Sequence, residues 1–355
     1  MNFFREIVTK LVNWWVRPRN LRFTICKYFF TSSLLALAAK GIFFGLSYDD
    51  VKIELNISSL TSSAALDYLL FFILCISIIG FLIEWFIDFR ALSRKRAVLI
   101  SHQGMDACIT NPLQNVVRLK YPNITPVKID LRQFMSGRSV NEPLKAAEET
   151  RRKVANAKEI IGDDNVADIS YIYGGLAPVP LAFLAGHTFS NKNDIEVWDY
   201  DRDQTGTACW YSLNYNSYID APDFIYDASS LSSEVCLIMS LSFPIDEADL
   251  EVKFCGKPII SIAPQKYGND NFGSITLQQK MQKKFRDLLI ELNRLGVLKI
   301  HIFCAAQNSL CFNLGRQIDD NHPQCIVYQY EKNSPEKYPW GIKLNGLKHG
   351  EAIIA

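Results

Sequence analysis

The sequence predicts a membrane-anchored α/β protein, an N-terminal transmembrane helical hairpin followed by a duplicated Rossmann-like domain. Three observations carry this expectation. Two long apolar segments fall within the first ninety residues. From Ala97 onward, short apolar strands alternate with amphipathic helices, the pattern of parallel α/β sheets. And one stretch occurs twice. Ile300-His301-Ile302-Phe303-Cys304-Ala305-Ala306-Gln307-Asn308-Ser309-Leu310-Cys311-Phe312-Asn313-Leu314-Gly315-Arg316 reads as a buried strand, a small-residue turn and an apolar helix. Ile169-Ser170-Tyr171-Ile172-Tyr173-Gly174-Gly175-Leu176-Ala177-Pro178, running on to His187, has the same plan. Each copy continues into a strand (residues 195–198 and 325–328), then a tryptophan (Trp210, Trp340) and a Leu-Asn pair (Leu213-Asn214, Leu344-Asn345). A repeat of roughly 130 residues is too long for a solenoid. It predicts two α/β halves that face each other as a pseudo-dimer, with one insertion needed to align their helices.

Residues 1–22 open the chain as an amphipathic helix. Phe3, Phe4, Ile7, Val8, Leu11, Val12, Trp14 and Trp15 share one face, opposite Arg5, Glu6, Thr9, Lys10 and Asn13, and Pro18 ends the run. A basic helix with tryptophans suits the headgroup layer of a bilayer. Residues 23–96 form the hairpin, with apolar runs over 23–46 and 66–89. Spanning hydrocarbon takes about 20 apolar residues, so each run is long enough. Arg5, Lys10, Arg17, Arg19 and Arg22 precede the first run; Arg90, Arg94, Lys95 and Arg96 follow the second; the connector carries Asp49, Asp50 and Glu54. The positive-inside rule then places both termini in the cytoplasm. Lys40 and Glu84 are ionisable groups within or near the apolar runs, read either as part of a polar path or as anchors at the membrane edge. Gly41 and Gly45 form a small-xxx-small step that permits close helix association. Two helices cannot enclose a pore, so a channel role demands a homo-oligomer within the lipid bilayer.

The remaining chain divides into residues 97–230 and 231–355, joined by a Tyr-, Asn-, Asp- and Ser-rich linker over 211–233. In the first half, strands are expected at 97–100, 126–131 and 169–174, with an amphipathic helix over 143–161 stopped by Gly162. In the second half, strands at 235–239 and 258–262 precede a helix over 275–295 stopped by Gly296. Ligands of such sheets bind beyond the carboxyl ends of the strands. The residues expected there are Ser101, His102 and Gln103; Gly174 and Gly175; Ser240, Leu241 and Ser242; and Ala306, Gln307, Asn308 and Ser309. Glycines let a ligand approach the backbone, and helix starts offer N–H groups to phosphate. Taken singly each turn is an ordinary tight turn; four together predict one pocket about a pseudo-two-fold axis.

Other chemistry is sparse. The net charge of +1 argues against DNA or RNA as a partner. The nine cysteines contain no Cys-x-x-Cys and sit in apolar stretches, as reduced core thiols do. No phosphate-binding GxxxxGK[ST], no GxGxxG, no GxSxG and no His/Cys metal spacing occurs, so neither cofactor nor metal is expected. Asp201-Arg202-Asp203-Gln204-Thr205 matches the DxDxT loop of haloacid-dehalogenase-type phosphatases, but it follows a late strand and the second half keeps none of it. A solvated strand-end turn is the expectation there, and no enzymatic activity.

Ile302-Phe303-Cys304-Ala305-Ala306 through Leu314-Gly315-Arg316, and on to Val327-Tyr328, resembles a SAVED domain. These are cyclic-oligonucleotide sensors of bacterial CBASS anti-phage systems, built as a fused pair of CARF-like units. The resemblance covers roughly residues 97–355, and the N-terminal hairpin is similar to that of the two-transmembrane-helix SAVED effectors. The sequence departs at Gln307, where the family tends to carry proline, while Pro178 keeps it in the first half. The resemblance implies that a partner nucleotidyltransferase supplies a cyclic di- or trinucleotide. Binding would drive oligomerisation and disruption of the bacterial inner membrane, causing abortive infection. The halves differ at the pocket, with glycines in one (Gly174, Gly175) and polar groups in the other (Gln307, Asn308, Ser309), so an asymmetric footprint is expected, with base reading mainly by the second half. The competing expectation is a membrane-anchored enzyme, a phosphatase using Asp201 and Asp203 or a ring nuclease that degrades the cyclic messenger.

Overall fold

A computed structural model describes residues 24, 26–33, 47–48, 51–52, 64–94, 96–104, 112–118, 120–121, 123–136, 139–140, 142–160, 169–190, 194–201, 210–213, 220–250, 254–268 and 271–346. The chain separates into two compact units, Met1–Ser93 and Arg94–Ala355. Each is considered by itself.

In the first unit, residues 26–33 are helical and helix α1 spans Ala64–Arg94. The two pack closely where side chains are small. A Cβ on Gly80 would fall 2.7 Å from the Cys26 sulfur, and the rings of Phe30 and Phe81 meet edge to face at 5.5 Å. Ser33, Leu74 and Ser77 are buried, whereas Phe71, Phe72, Ile76, Ile79 and Leu82 face outward. The hydroxyls need no water: Thr31 donates to the Lys27 carbonyl at 2.9 Å and Ser77 to that of Ile73 at 2.8 Å. Gly80 is therefore a close-approach glycine that the sequence reading passed over. Lys40, Gly41 and Gly45 lie outside the described residues, as does the side chain of Glu84. Side chains of α1 are described without interruption only over 71–83, and among the described residues no helix is long and apolar enough to cross a membrane.

The second unit holds two five-stranded sheets of matching design. The first contains β1 (Arg96–Gln103), β2 (Asn123–Asp130), β3 (Ile169–Leu176), β4 (Ile195–Tyr200) and β5 (Trp210–Ser212) in the order β2-β1-β3-β4-β5. The second contains β6 (Glu234–Ser240), β7 (Ile259–Ile262), β8 (Lys299–Ala305), β9 (Gln324–Gln329) and β10 (Trp340–Lys343) in the order β7-β6-β8-β9-β10. Four strands of each are parallel and the last is antiparallel. Both sheets are thus mixed, not purely parallel, and each repeated tryptophan opens the reversing strand. Tyr211 and Ser212, assigned to the linker from sequence, belong to β5.

Helix α2 (Leu113–Val117) and the longer helices α3 (Pro143–Glu159) and α4 (Val179–Phe189) serve the first sheet; α5 (Ile275–Arg294) and α6 (Asn308–Gly315) serve the second. Helix α5 starts where the Ser274 hydroxyl accepts from the Leu277 amide. It stops at Gly296, whose φ of +84° suits the left-handed cap, with Val297 N–H returning to the Leu292 carbonyl at 3.0 Å.

The duplication is closer than the sequence suggests. Residues 176, 178 and 200 of the first half correspond to 305, 307 and 329 of the second, a constant offset of 129, so the βαβ unit aligns without insertion. Both faces of each sheet are covered, which explains the near-continuous apolar strands. Val98 and Ile100 of β1 enter a core shared with Val235, Leu237 and Met239 of β6, while Ala97 and Leu99 pack outward under Leu113 and Trp210.

The halves join through α4 and α6. A Cβ on Gly186 would collide with the Phe312 carbonyl, and one on Gly315 with the Phe183 carbonyl. These pairs stand at the same offset of 129 and are mutually reciprocal, as an isologous contact requires. Glycine is needed at both because backbone meets backbone.

Candidate functional site

The carboxyl ends of β3 and β8 meet at this pseudo-symmetric junction. Each strand end is fixed from its neighbour: Gly104 N–H donates to the Leu176 carbonyl at 2.9 Å, and Leu241 N–H to that of Ala305 at 3.0 Å. The chain then turns through Ala177-Pro178 into α4 and through Ala306-Gln307 into α6. Between these turns lies a cavity of about 460 Å³, to which both halves contribute. Its polar wall includes Ser242, Gln307, Asn308 and Gln329, and its aromatic rim is Tyr200, Phe243, Tyr330 and Tyr338. Among the described lining residues Asp199 and Asp249 are acidic and none is Lys or Arg.

Asp199, at the end of β4, ties the halves together. Its carboxylate accepts from the Ser309 N–H at 3.1 Å, from the Ser309 hydroxyl, and from Gln307 Nε2 at 3.2 Å. A carboxylate from the first half therefore occupies the start of the second half's α6. That is the place where the sequence reading put a phosphate. Ser309 is fully buried and also accepts from Gln278 Nε2 at 2.7 Å. Gln307 is fixed at both ends, its Oε1 accepting from the Phe272 N–H at 2.7 Å.

Asn308 is the reciprocal link. Its Nδ2 donates to the Ala177 carbonyl at 2.8 Å, and its Oδ1 accepts from the Tyr173 hydroxyl at 3.1 Å. Since that hydroxyl has one proton, His102 Nδ1, 3.1 Å from it, must be the N–H side of a neutral imidazole. His102 Nε2 faces the Thr150 hydroxyl at 3.4 Å. Complete burial drives the His102 pKa down to about 3. The Tyr173 ring stacks on Phe312 of α6 with centroids 3.8 Å apart.

Of the residues expected at strand ends, Ser242, Ala306, Gln307 and Asn308 line the cavity. The others are placed elsewhere, for physical reasons. Ser101, His102 and Gln103 are within β1, which runs three residues further than its apolar core suggests because each pairs with both β2 and β3. Gly174 and Gly175 are likewise inside β3, not in a turn. A Cβ on Gly174 would strike the Leu113 side chain, and one on Gly175 would lie 2.7 Å from Asn308 Oδ1. Those glycines admit the protein's own side chains. Ser240 uses its hydroxyl to accept from the Ile245 N–H at 3.0 Å, and Leu241 is wholly buried. Sequence reasoning missed Asp199, Gln329 and the aromatic rim. The signal for Asp199 was available, because it is the last residue but one of a strand in the first half, the position Tyr328 holds in the second. Of the DxDxT stretch only Asp201 is described. Among the described residues no cluster of three or more His, Cys, Asp or Glu side chains is placed to hold a metal.

Comparison with known families identifies the class. Residues 150–344 match the family described as "SMODS-associated and fused to various effectors sensor domain", SAVED, and residues 1–147 match the "SAVED-fused 2TM effector domain". The chain belongs to the SAVED family, with a two-transmembrane-helix type of effector region at its N-terminal side. The boundary between the matches falls in α3, so β1 and β2, which complete the first sheet, are counted with the effector match.

Among solved structures, the chain is similar to the Acinetobacter baumannii Cap4 SAVED/CARF-domain containing receptor with the cyclic trinucleotide 2'3'3'-cAAA. Identity is 12%, the TM-score is 0.47, and coverage is 78% of this chain and 56% of that one. The same receptor with 3'3'3'-cAAA gives 11% identity, a TM-score of 0.47, and coverage of 78% and 55%. The Moraxella osloensis Cap4 receptor gives 10% identity, a TM-score of 0.43, and coverage of 68% and 48%. The chain thus spans about half the length of these receptors. Comparison with curated proteins gives no match.

Proposed function

We propose that this protein is a membrane effector of bacterial anti-phage defence, switched on by a cyclic oligonucleotide that binds in the cavity between the two sheets. The observation that carries this reading is the cavity wall. Ser242 Oγ and Gln329 Oε1 both belong to lining residues, and both are buried without a hydrogen-bond partner. An unmet buried polar atom costs about 1–3 kcal/mol, and native structures keep few of them. Neither atom is open to the cavity as it stands, and a polar ligand that turned either side chain outward would satisfy it. Phe243 and Tyr330 on the cavity rim supply exposed flat faces for bases.

The rest of the activity follows from the physics of a hairpin. Two helices cannot line a pore alone, so a ligand bound at the sheets acts by favouring an oligomer in which many hairpins meet. A ligand shifts such an equilibrium only by binding the assembled form more tightly. In this reading a partner nucleotidyltransferase makes a cyclic di- or trinucleotide, the hairpins sit in the bacterial inner membrane with both termini cytoplasmic, and their assembly disrupts the bilayer and causes abortive infection. The protein binds its messenger and leaves it intact, with no catalytic residue. The test is full-length protein in vesicles of phosphatidylethanolamine and phosphatidylglycerol loaded with a self-quenched dye. Release triggered by one member of a cyclic di- and trinucleotide panel, with the ring recovered whole, supports the reading. Ring cleavage by the purified protein moves it to a membrane-anchored nuclease, and binding without release refutes membrane disruption.

A further inference from the structure

A chain of side-chain hydrogen bonds runs from the cavity wall along α6, and chemistry dictates its direction. Ser309 Oγ lies between the Asp199 carboxylate and Gln278 Nε2. A carboxylate only accepts and an amide nitrogen only donates, so the hydroxyl accepts from Gln278 and donates its own proton to Asp199. Gln278 cannot be turned over, because its Nε2 also donates to the Phe272 carbonyl at 2.8 Å. Its Oε1 accepts from Asn313 Nδ2 at 2.7 Å, which leaves Asn313 Oδ1 to accept from the Arg316 guanidinium at 3.4 Å. Every bond thus points the same way, from a cation to a carboxylate. Gln278 and Ser309 are fully buried, and Asn313 and Asp199 nearly so. Aligned hydrogen bonds away from water polarise one another, so a change at one end is felt along the chain.

Both ends leave the second half. Asp199 comes from β4, and Arg316 Nε donates to the Ser190 carbonyl at 3.0 Å, where α4 ends. Asp199 lines the cavity described above. Arg316 follows Ser309 at about 10 Å along the helix. There Asn313 and Arg316 line a second cavity, of about 820 Å³, at the amino ends of β3 and β4. The fold does not impose this chain. At the offset of 129, Ser309 and Asn313 stand opposite Pro180 and Leu184, so α4 fills the same positions with buried apolar side chains.

Resting on the receptor reading above, we infer that Gln278, Ser309 and Asn313 are positioning residues, a polarised relay that makes Arg316 and the end of α4 respond to what lies against Asp199. An anionic ring beside that carboxylate repels it and weakens the acceptor on which the relay ends. Arg316 then holds Ser190 less firmly, at the end of the junction away from the ligand. Occupancy of one cavity is thereby reported at the other.

The test is hydrogen-exchange mass spectrometry of full-length protein in lipid nanodiscs. It follows the Ser190 amide, which donates to the Gly186 carbonyl at 2.9 Å, in peptides covering 186–190. Without ligand, Asp199→Asn should speed that exchange about tenfold relative to residues 97–100 of β1. Asn313→Leu copies the side chain that α4 carries and cuts the relay while filling its space. In that background Asp199→Asn should leave Ser190 exchange unchanged. Gln278→Met makes the same cut from α5, so the outcome does not hang on the folding of one variant. The cyclic di- or trinucleotide that releases dye from wild-type vesicles should change Ser190 exchange in wild type and not in Asn313→Leu. Its calorimetric affinity for the two should agree within about threefold. A Ser190 response that survives both cuts, or Asp199→Asn effects confined to residues beside it, would overturn the inference and leave the receptor reading standing. Absence of binding by every ring in the panel would remove the receptor reading and the relay's signalling role, while the ligand-free measurement still decides the coupling.

Discussion

The two halves of the SAVED domain share a backbone plan and differ in the chemistry they place on it. Over the βαβ unit each residue of one half has a partner at a constant offset, yet at the strand ends the partners are unlike. Asp199 stands opposite Tyr328, Pro178 opposite Gln307, Gly175 opposite Cys304. On the neighbouring strands, register through the shared pairings sets His102 opposite Met239. The first half gives a carboxylate to the second half's α6, and the second half returns an amide to the first half's Ala177 carbonyl. Duplication thus supplies the junction, and divergence supplies one polar, asymmetric cavity in place of two equivalent ones.

The largest effect is expected where symmetry is strictest. Gly186→Ala and Gly315→Ala each force a methyl onto a backbone carbonyl, which cannot move as a side-chain tip can. Each should cost about 3 kcal/mol by overpacking, and to a similar extent, in denaturant unfolding. A large drop for one and none for the other would break the claim of an isologous junction.

Where the halves diverge, mates should respond differently. Asp199→Asn keeps an acceptor for the Ser309 N–H but removes the charge and sets an NH2 group against Gln307 Nε2, and should cost about 2 kcal/mol. Tyr328→Phe at the matching position removes one hydrogen bond, 3.0 Å from His301 Nδ1, and should cost about 1 kcal/mol. Equal losses would mean that Asp199 does not bridge the halves.

The His102 and Met239 pair sharpens the same comparison with pH. The folded pKa of His102 lies at about 3, below its ordinary value of 6.5, so unfolding takes up a proton between those limits. Its contribution is complete above pH 6.5 and is lost as pH falls towards 3. Between pH 7 and 5 the loss should be about 2 kcal/mol, at about 1.4 kcal/mol per pH unit below 6.5. His102→Met, copying the residue of the other half, should remove about that much of the loss and leave the share of His187, His301 and His322, whose burial also lowers their pKa. A slope undiminished in the variant would assign it to those other histidines.

Much of this architecture was legible in the sequence. The alternation of apolar strands and amphipathic helices located both sheets, and the recurring tryptophans marked the element that turns out to be antiparallel. What escaped was the identity of the pocket wall. Apolar runs understate strand length, since β1 and β3 continue through Gln103 and Leu176 because backbone pairing, not hydrophobicity, extends them. A glycine in the sequence signals room without saying what fills it, and here Leu113, Trp210 and Asn308 take that room. Hydroxyls such as Ser240 and Ser309 are satisfied internally, the first by the turn at Ile245 and the second by Asp199 and Gln278, far away in sequence. Gln329 and Asp199 sit at strand ends that follow the repeated helices, one connection later than the turns singled out. In the first unit, Gly80 was hidden inside an apolar run, and only its packing on Cys26 sets it apart.

The central claim is that the duplicated halves build a single shared site at their junction. The most direct measurement is the calorimetric stoichiometry of the tightest-binding cyclic oligonucleotide on full-length protein in nanodiscs, with active protein quantified independently. The account predicts one ring per chain, with binding weakened by changes on either half of the wall, Pro178→Gly or Ser242→Ala. Two rings per chain, or one ring whose affinity responds to substitutions in one half alone, would contradict it.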